Sequence, residues 1–294
     1  MTSLPVYLAY AKINLYLEVL NKRRDGYHNL ETIFQSVSLG DRLEFFPQPE
    51  KITLECDNED LAGDASNLVV RAAQLLQTRF GVSQGVHIRL SKRIPIAAGL
   101  AGGSADAAAT LVALNQLWDL KLTLYRLTTL GLELGSDVPF CLVGGTKAGR
   151  LRGQDLHAMH SPVAVWYLLV HPNLHVSTRD VFTSPLLRPS GEIPFAGWTC
   201  SFRKARRRLE DGDFAGAMFN RLEYVVFSKH PELASIKERL LRAGSIAAGM
   251  SGSGPTMFGV FRSREEAEKA AHMFSDINTS VVCPTLVGVN CLEG

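Results

Sequence analysis

The sequence predicts an α+β protein of two domains, and three observations support this fold class. The chain has 294 residues, of which 46% are hydrophobic, so it is long enough to form two hydrophobic cores. Segments with the two-residue period of strands alternate with segments of helix-forming composition along the chain. Between residues 144 and 162, glycine, arginine and histidine are frequent and apolar periodicity is weak, which indicates a domain junction. We therefore expect one domain over residues 1–155 and a second over residues 156–294.

Composition argues against several functional classes. The formal net charge is only +2, so we expect no nucleic-acid partner and interpret the basic run at residues 203–208 as a solvated helix face. No apolar run reaches about 18 residues, and residues 1–5 lead into a strand-like stretch without the pattern of a targeting segment. Five cysteines without a Cys-x-x-Cys motif predict neither a disulfide framework nor a zinc site. These features predict a cytoplasmic protein with no membrane partner.

The first strand is predicted over residues 7–19, where apolar residues occupy one face and Lys12 and Asn14 point to the other. A lysine on a strand is ordinarily part of a solvated face. The pair Asp25-Gly26 then indicates a tight turn, after which the apolar strand pattern resumes. Tyr27 and His28 stand at the end of this turn and, taken alone, are ordinary hairpin residues.

Residues 41–57 alternate sufficiently for further strands, and residues 64–68 supply a cap for a helix over residues 69–80. Asn67 belongs to this cap. A strand follows at residues 86–90, where Val86, Ile88 and Leu90 alternate with polar residues. Lys92 comes directly after that strand.

A loop rich in glycine and alanine connects this strand to a buried helix over residues 105–118. Its members are Pro95, Ile96, Ala97, Ala98, Gly99, Leu100, Ala101, Gly102, Gly103, Ser104 and Ala105. A helix N-terminus carries unpaired N–H groups, and glycines there allow a polyphosphate to approach them. The alternative is a tight turn in which glycine only permits packing. Asp106 either supports the helix cap or, if it points inward, repels phosphate; the spacing fits neither a Walker A loop nor a GxGxxG fingerprint.

A helix is predicted over residues 124–134, and the break that follows it contains Asp137 before Val138-Pro139. An isolated aspartate at such a break is normally an N-cap. In the second half we expect a strand over residues 163–170, a helix capped by Ser177 or Thr178, and helices over residues 202–218 and 231–243. A second glycine-rich loop, within residues 247–261, runs into a strand, and a helix over residues 264–274 and a final strand over residues 279–289 complete the domain.

The first glycine-rich loop resembles the Pro-x-x-x-Gly-Leu-x-Gly/Ser-Ser-x-Ala motif of the GHMP kinases, which hold ATP on this loop. The matching residues are Pro95, Gly99, Leu100, Gly103, Ser104 and Ala105. Ala101 departs from the pattern, because the family usually has glycine there. This substitution narrows the backbone freedom of the loop without removing its phosphate-binding groups.

Other segments extend the resemblance over residues 9–261. Ala11-Lys-Ile-Asn-Leu15 and Asp25-Gly-Tyr-His28 resemble the 4-diphosphocytidyl-2-C-methyl-D-erythritol kinases within the GHMP family. Gly135-Ser-Asp-Val-Pro-Phe140 matches the segment that carries the family's catalytic aspartate. The second glycine-rich stretch, residues 247–261, resembles the third family motif, which closes over the nucleotide and substrate phosphates.

The resemblance implies a two-domain GHMP kinase fold, with a first domain similar to a fold found in ribosomal proteins and a ferredoxin-like α+β second domain. It places the active site in the cleft between them. It implies catalytic roles for Lys12 and Asp137, with ATP held by residues 95–105 and the adenine near Asn67 and Lys92. The residues that it assigns to the acceptor are Asn14, Tyr27, His28, Thr178, Phe182, Gly252, Ser253 and Gly254.

The implied activity is transfer of the ATP γ-phosphoryl group to the 2-hydroxyl of 4-diphosphocytidyl-2-C-methyl-D-erythritol in non-mevalonate isoprenoid synthesis. Mg²⁺ is expected to be held mainly through the ATP phosphates, and the protein to be a monomer or a weak homodimer. Two alternatives remain open. Another GHMP activity, of the homoserine or mevalonate kinase type, shares the loops but gives no reason for Asp25-Gly-Tyr-His28. A non-catalytic nucleotide or RNA module needs neither Asp137 nor the second glycine-rich loop.

Overall fold

The structure is a computed structural model that describes residues 5–59, 61, 63–64, 66–160 and 164–292. The strands are β1 (Val6–Lys22), β2 (His28–Gln48), β3 (Ile52–Cys56), β4 (Gly85–Ser91), β5 (Thr146–Leu151), β6 (Asp155–Ala158), β7 (Trp166–His171), β8 (Phe219–Asn220), β9 (Ala247–Met250), β10 (Met257–Phe261), β11 (Asn278–Val282) and β12 (Val289–Leu292). The helices are α1 (Leu68–Phe80), α2 (Gly102–Leu117), α3 (Leu124–Leu134), α4 (Val138–Val143), α5 (Thr178–Phe182), α6 (Cys200–Glu210), α7 (Phe214–Ala217), α8 (Glu223–Lys229), α9 (Pro231–Arg242) and α10 (Arg264–Ala271).

The first sheet has the path β12-β1-β2-β4-β3, with β5 paired to β2, β6 paired to β5 and β8 paired to β1. Its centre is the long β1–β2 hairpin, which turns at Gly26 with a φ of 85°. The register of this hairpin shifts between Tyr10 and Lys12 and again between Asn14 and Tyr16. Such bulges re-aim side chains. Lys12 and Asn14 are both buried, so the polar face of β1 is not the solvated surface that a lysine on a strand usually indicates.

Helix α2 crosses this sheet and packs against β1 and β2 and against helices α1, α3 and α4. Its alanines allow close approach of these elements on nearly every side. The predicted helix is confirmed, although it begins at Gly102, three residues before the predicted start, so two glycines lie inside its first turn. This position brings the N-terminus of the helix to the edge where the two halves of the chain meet.

The second sheet is antiparallel in the order β11-β7-β10-β9, and helices α9 and α10 pack against it. The predicted helices at residues 69–80, 124–134 and 231–243 are confirmed to within one residue at each end. The strand predicted over residues 163–170 is observed at Trp166–His171; Val163 lies outside the described residues. The basic run lies on α6, where Arg206, Arg207 and Arg208 pair with nearby acidic residues, as expected for a solvated face.

Two predicted elements were wrong in extent. The helix predicted over residues 202–218 is interrupted at residues 211–213, where Asp213 caps a new helix by accepting a hydrogen bond from the Gly216 amide. The final strand predicted over residues 279–289 is two strands in different sheets: β11 completes the second sheet, whereas β12 pairs with β1 in the first. The chain thus returns to the first sheet, and the proposed boundary after residue 155 falls inside β6, which also belongs to that sheet.

Candidate active site

The two glycine-rich loops meet in front of β1. The Thr256 amide donates to the Ala98 carbonyl at 3.3 Å, and the Ser251 hydroxyl donates to the Gly99 carbonyl at 2.9 Å. A Cβ added to Gly99 would lie 2.2 Å from the Ser251 carbonyl oxygen, so only glycine permits this approach. The structure therefore brings together the two loops that lie about half the chain apart in sequence.

The N-terminus of α2 is built as an anion cradle. The first intrahelical hydrogen bond is donated by the Ala105 amide to the Ala101 carbonyl, so by helix geometry the amides of residues 102–104 precede the ladder. The N-cap residue is Ala101, whose side chain has no oxygen to satisfy them. Ala97, Gly99 and Ala101 all have positive φ, and such alternation of backbone conformation forms anion-binding concavities. An anion at this position would satisfy the free donors and the positive end of the helix dipole.

The three glycines of the first glycine-rich loop differ in backbone conformation and in the space around them. Gly99 has a φ of 76° and touches the second loop, whereas Gly103 lies in the helix, where a Cβ would meet only Leu68 at 3.6 Å. Gly102 is intermediate, since a Cβ there would lie 3.0 Å from Ile94. Gly103 therefore leaves room above the helix mouth and is not required for an unusual φ.

Lys12 reaches the loop from β1. Its ammonium donates to the Asn14 side-chain oxygen at 2.8 Å and to the Gly99 carbonyl at 2.9 Å, and it lies 4.0 Å from the Asp137 carboxylate. Burial lowers the pKa of Lys12, and the negative charge of Asp137 opposes that shift. The lysine is thus a buried cation placed between the phosphate loop and Asp137.

Asp137 occupies the N-cap position of α4 but does not cap it. Its side chain accepts no hydrogen bond from the helix amides and points to Lys12 instead, with about a third of the side chain exposed (35%). Gly135 lies beside it, and a Cβ on Gly135 would be 3.8 Å from the Ser104 hydroxyl. The Asp137 carboxylate is therefore partly accessible, lies near the mouth of α2 and does not cap α4.

Asn14 and Gly252 complete the surroundings of Lys12. The Asn14 amide donates to the Thr32 hydroxyl at 2.8 Å, and Thr32 in turn donates to the Tyr16 carbonyl at 2.7 Å, which fixes the Asn14 oxygen toward the lysine. A Cβ on Gly252 would lie 3.2 Å from the Lys12 ammonium nitrogen and 3.5 Å from the Asn14 oxygen. The Asn220 amide also holds the second loop by donating to the Met250 and Gly252 carbonyls, a contact that no motif indicated.

The remaining residues of the second loop lie beside α5. The hydroxyls of Ser253 and Thr178 are 2.7 Å apart, so the residue at the start of α5 is joined to the loop. Ser177 caps that helix by accepting a hydrogen bond from the Asp180 amide. Gly254 has a φ of 80°, and a Cβ there would collide with the Met250 sulfur at 2.6 Å.

His28 and Phe182 lie together on the other side of the cleft. Their ring centroids are 5.5 Å apart with planes inclined by 33°, and burial lowers the pKa of His28. Tyr27 is more than half exposed, and the Arg152 guanidinium lies 3.8 Å from its ring centroid. The structure therefore brings the His28 and Phe182 rings together, whereas the Tyr27 ring lies against Arg152, a neighbour that the sequence did not indicate.

Two residues expected near the adenine have structural contacts. The Asn67 side chain accepts a hydrogen bond from the Val69 amide and caps α1, whose first residue lies against the mouth of α2. The Lys92 ammonium is buried between the carboxylates of Asp41 and Asp106. That Asn67 and Lys92 lie near the adenine stays a prediction, and the Lys92 ammonium is engaged by the two carboxylates. Asp106 points inward and pairs with Lys92 rather than capping the helix.

Among residues 5–59, 61, 63–64, 66–160 and 164–292, no group of three or more histidine, cysteine, aspartate or glutamate side chains is arranged to hold a metal ion. No helix within the part of the chain that the structure describes has the length and apolar character needed to span a bilayer.

The chain is similar in sequence to known families and proteins. Residues 67–145 match the family profile described as "GHMP kinases N terminal domain", and residues 203–278 match "GHMP kinases C terminal". A 4-diphosphocytidyl-2-C-methyl-D-erythritol kinase from Moorella thermoacetica is 47% identical over 266 residues, which cover 90% of this chain and 92% of that protein.

Two solved structures have the same fold. A crystal structure of 4-(cytidine 5'-diphospho)-2C-methyl-D-erythritol kinase is 33% identical with a TM-score of 0.81, and the match covers 95% of this chain and 98% of that one. A homoserine kinase from Cytophaga hutchinsonii is 22% identical with a TM-score of 0.76, covering 99% of this chain and 98% of that chain. The second likeness concerns the fold alone.

Proposed function

The chain belongs to the GHMP kinase family, and from this premise we propose that it transfers the γ-phosphoryl group of ATP to the 2-hydroxyl of 4-diphosphocytidyl-2-C-methyl-D-erythritol. The family and the two-domain fold predicted from the motifs are confirmed. The membership makes the chain a kinase, so the non-catalytic RNA module is no longer needed as an explanation. Relatives of the same name at 41% to 47% identity favour this acceptor over homoserine or mevalonate.

One observation carries the catalytic proposal: Asp137 leaves the helix cap unused and pairs with Lys12 beside the phosphate loop. In this arrangement Asp137 accepts the proton of the acceptor hydroxyl as that oxygen attacks the γ-phosphorus, and the bond from the γ-phosphorus to the bridging oxygen breaks, so that ADP leaves with that oxygen. Lys12 holds the carboxylate and the hydroxyl in place. The amides of residues 102–104 and the Ser104 hydroxyl bind the phosphates and stabilise charge on them.

Mg²⁺ neutralises charge on the ATP phosphates when it is bound with the nucleotide. We propose that it is held mainly through those phosphates, because the carboxylates of Asp137 and Asp106 near the mouth of α2 are already paired with Lys12 and Lys92. The enzyme then acts in the cytoplasm as a monomer or weak homodimer without a nucleic-acid or membrane partner. We also propose two domains, at residues 1–155 and 156–294. Strand β6 crosses this boundary, and β12 returns to the sheet of the first domain.

We propose that the cytosine of the acceptor binds among Tyr27, His28 and Phe182. The lowered pKa keeps the His28 imidazole neutral near pH 7, so one ring nitrogen donates and the other accepts a hydrogen bond. The Phe182 ring beside this histidine suits a stacked base, and Tyr27 is the residue next to it in the chain. The methylerythritol end of the acceptor then lies among Asn14, Thr178 and the second glycine-rich loop, which contains Ser253.

The test is ADP release with 4-diphosphocytidyl-2-C-methyl-D-erythritol, compared with 2-C-methyl-D-erythritol 4-phosphate, homoserine and mevalonate. We expect turnover with the cytidylyl compound and a much lower kcat/KM for the others. Phe182→Ala should lower kcat/KM for the cytidylyl acceptor by roughly 5- to 150-fold and leave the ATP KM nearly unchanged.

Phe195→Ala is a matched control, because Phe195 is an exposed phenylalanine whose ring contacts Arg203 rather than the cleft. It should leave both KM values unchanged. Equal kcat/KM values for 4-diphosphocytidyl-2-C-methyl-D-erythritol and for 2-C-methyl-D-erythritol 4-phosphate would show that the chain has no cytosine pocket. Turnover of homoserine alone would replace the acceptor assignment.

A further inference from the structure

Beneath the phosphate loop lies a bridge of three buried side chains that the proposed chemistry does not use. The Lys92 ammonium contacts the Asp41 carboxylate and lies 2.8 Å from the Asp106 carboxylate. The side chains of Lys92, Asp41 and Asp106 are 6%, 0% and 3% exposed. A nucleotide in the cleft therefore has no direct access to this bridge.

The bridge ties together the two chain segments that enter and leave the loop. On the entering side, one oxygen of Asp41 accepts hydrogen bonds from the amides of Arg93 and Ile94, at 2.5 and 2.8 Å. On the leaving side, Asp106 lies in α2 about one turn beyond the amides of residues 102–104. Lys92 joins Asp41 to Asp106, so the loop is closed at its base by side chains from β2, from the residue after β4 and from α2.

The helix mouth also rests directly on this bridge. A Cβ on Gly102 would lie 3.3 Å from the Lys92 ammonium nitrogen, and 3.0 Å from Ile94. The first residue of the helix therefore lies close against the Lys92 ammonium and has little free space on that side. The other oxygen of Asp106 is buried, and no described residue donates a hydrogen bond to it. Such an unsatisfied buried oxygen costs stability, so the bridge is a poor stabilising device.

We propose that Asp41, Lys92 and Asp106 are positioning residues for ATP: they fix the mouth of α2 against the first sheet so that its amides stand in phosphate-binding geometry. The proposal rests on the proposed kinase function. Displacement of a positioning group by about 1 Å is enough to lower the rate of an enzyme by up to about 100-fold. A purely structural bridge would instead affect unfolding and leave the nucleotide affinity of the folded protein unchanged.

Asp106→Ala tests the proposal with little risk to folding, because position 106 lies between alanines in a helix and Lys92 keeps Asp41 as a partner. Calorimetric titration with the β,γ-imido analogue of ATP and Mg²⁺ should show a Kd raised about tenfold. The ATP KM should rise by the same factor, and the acceptor KM should stay within about twofold. Asp106→Asn keeps an oxygen that accepts from Lys92, so its Kd should return to within about threefold of the parent.

Asp41→Asn is a second variant, in which the amide oxygen still serves Arg93 and Ile94 while the –NH₂ group faces the Lys92 ammonium. It should also raise the Kd for the imido analogue. The control is Glu18→Gln, because Glu18 is an equally buried carboxylate paired with Arg221 away from the loop. Its nucleotide Kd should equal that of the parent.

Binding of the imido analogue by Asp106→Ala within about twofold of the parent would overturn the proposal. A parallel rise of the ATP and acceptor KM values, or an equal rise in Glu18→Gln, would overturn it as well. Nucleotide titration needs no acceptor, so failure of the acceptor assignment leaves this result readable. The parent protein's failure to bind the imido analogue would count against the kinase function itself.

Discussion

At the scale of single residues, the same helix position serves two purposes in this protein. Asn67 and Asp137 both occupy N-cap positions, but only Asn67 caps its helix, by accepting a hydrogen bond from the Val69 amide. Asp137 is drawn away by the Lys12 ammonium, which is buried and 4.0 Å distant. The sequence around each residue predicts a cap equally well. The difference comes from a lysine on a remote strand, which local pattern cannot supply.

Asp137→Asn separates the two roles, because asparagine caps a helix as well as aspartate does but is no base. We expect kcat to fall by ~10² to 10⁴-fold, with the Kd for the imido analogue of ATP within a few-fold of the parent. Steady-state kinetics and titration calorimetry check the two quantities. Ser177→Ala is the control for a true cap, and it should lower stability by about 1 kcal/mol without a comparable loss of kcat. Retention of about half the parent kcat by Asp137→Asn would assign the residue to the cap.

At the scale of elements, the phosphate loop is held from behind by its carbonyl groups. Those of Ala98, Gly99 and Leu100 accept hydrogen bonds from Thr256, Ser251 and Lys12. The loop therefore takes its shape from the second glycine-rich loop and from β1 as well as from its own residues. Ala97 and Ala101 adopt positive φ despite their side chains, which is a conformational cost that the surrounding contacts sustain.

Gly99→Ala should weaken binding of the imido analogue by at least about tenfold, because the new Cβ would meet the Ser251 carbonyl at 2.2 Å and push the loops apart. Gly81→Ala is the matched control: Gly81 also has positive φ, at 64°, but no atom lies within 4 Å of an added Cβ. It should cost roughly 1 to 2 kcal/mol of stability and leave nucleotide binding intact. Thermal unfolding and calorimetry distinguish the effects. Equal nucleotide affinity in both variants would mean that contact between the loops is irrelevant to binding.

Most elements and the main motifs could be predicted because their signals are local. Periodicity located the long helices, and the motifs located the two loops, Lys12 and Asp137. The partners of Lys92 could not be found in this way, because Asp41 lies 51 residues earlier and nothing in the intervening sequence indicates the pairing. The contact of Arg152 with Tyr27 and the bond between Ser253 and Thr178 are equally non-local. Short strands such as β12 carry too few residues to show a period at all.

At the scale of the whole molecule, the end of the described chain packs against helix α4. The Tyr10 amide donates to the Gly288 carbonyl at 2.9 Å, and Gly288 packs against the backbone of Cys141 in α4. Gly144 faces the same segment, and a Cβ on it would meet the Gly288 nitrogen at 2.0 Å. Helix α4, which follows Asp137, is thus wedged between the first sheet and the segment that leads into β12.

Gly288→Ala should displace this segment, because an added Cβ would lie 1.8 Å from the Cys141 carbonyl oxygen. Overpacking of this kind costs typically about 1 to 3 kcal/mol, and movement of α4 should also lower kcat. Denaturant unfolding and steady-state kinetics measure the two effects. Leu292→Ala is the control, since Leu292 lies in the same terminal segment and is 43% exposed, and it should change neither quantity by much. Unchanged kcat in a destabilised Gly288→Ala protein would show that the segment supports folding but not Asp137.

The return of β12 to β1 also orders events during synthesis. A ribosome makes β1 long before the segment around Gly288, so α4 lacks its support while the chain is still growing. The first sheet meanwhile exposes the edge of β1 that β12 will cover, and such an edge is open to pairing with other strands. Until the terminal segment docks, α4 and the residue that precedes it, Asp137, lack the contacts that Gly288 provides.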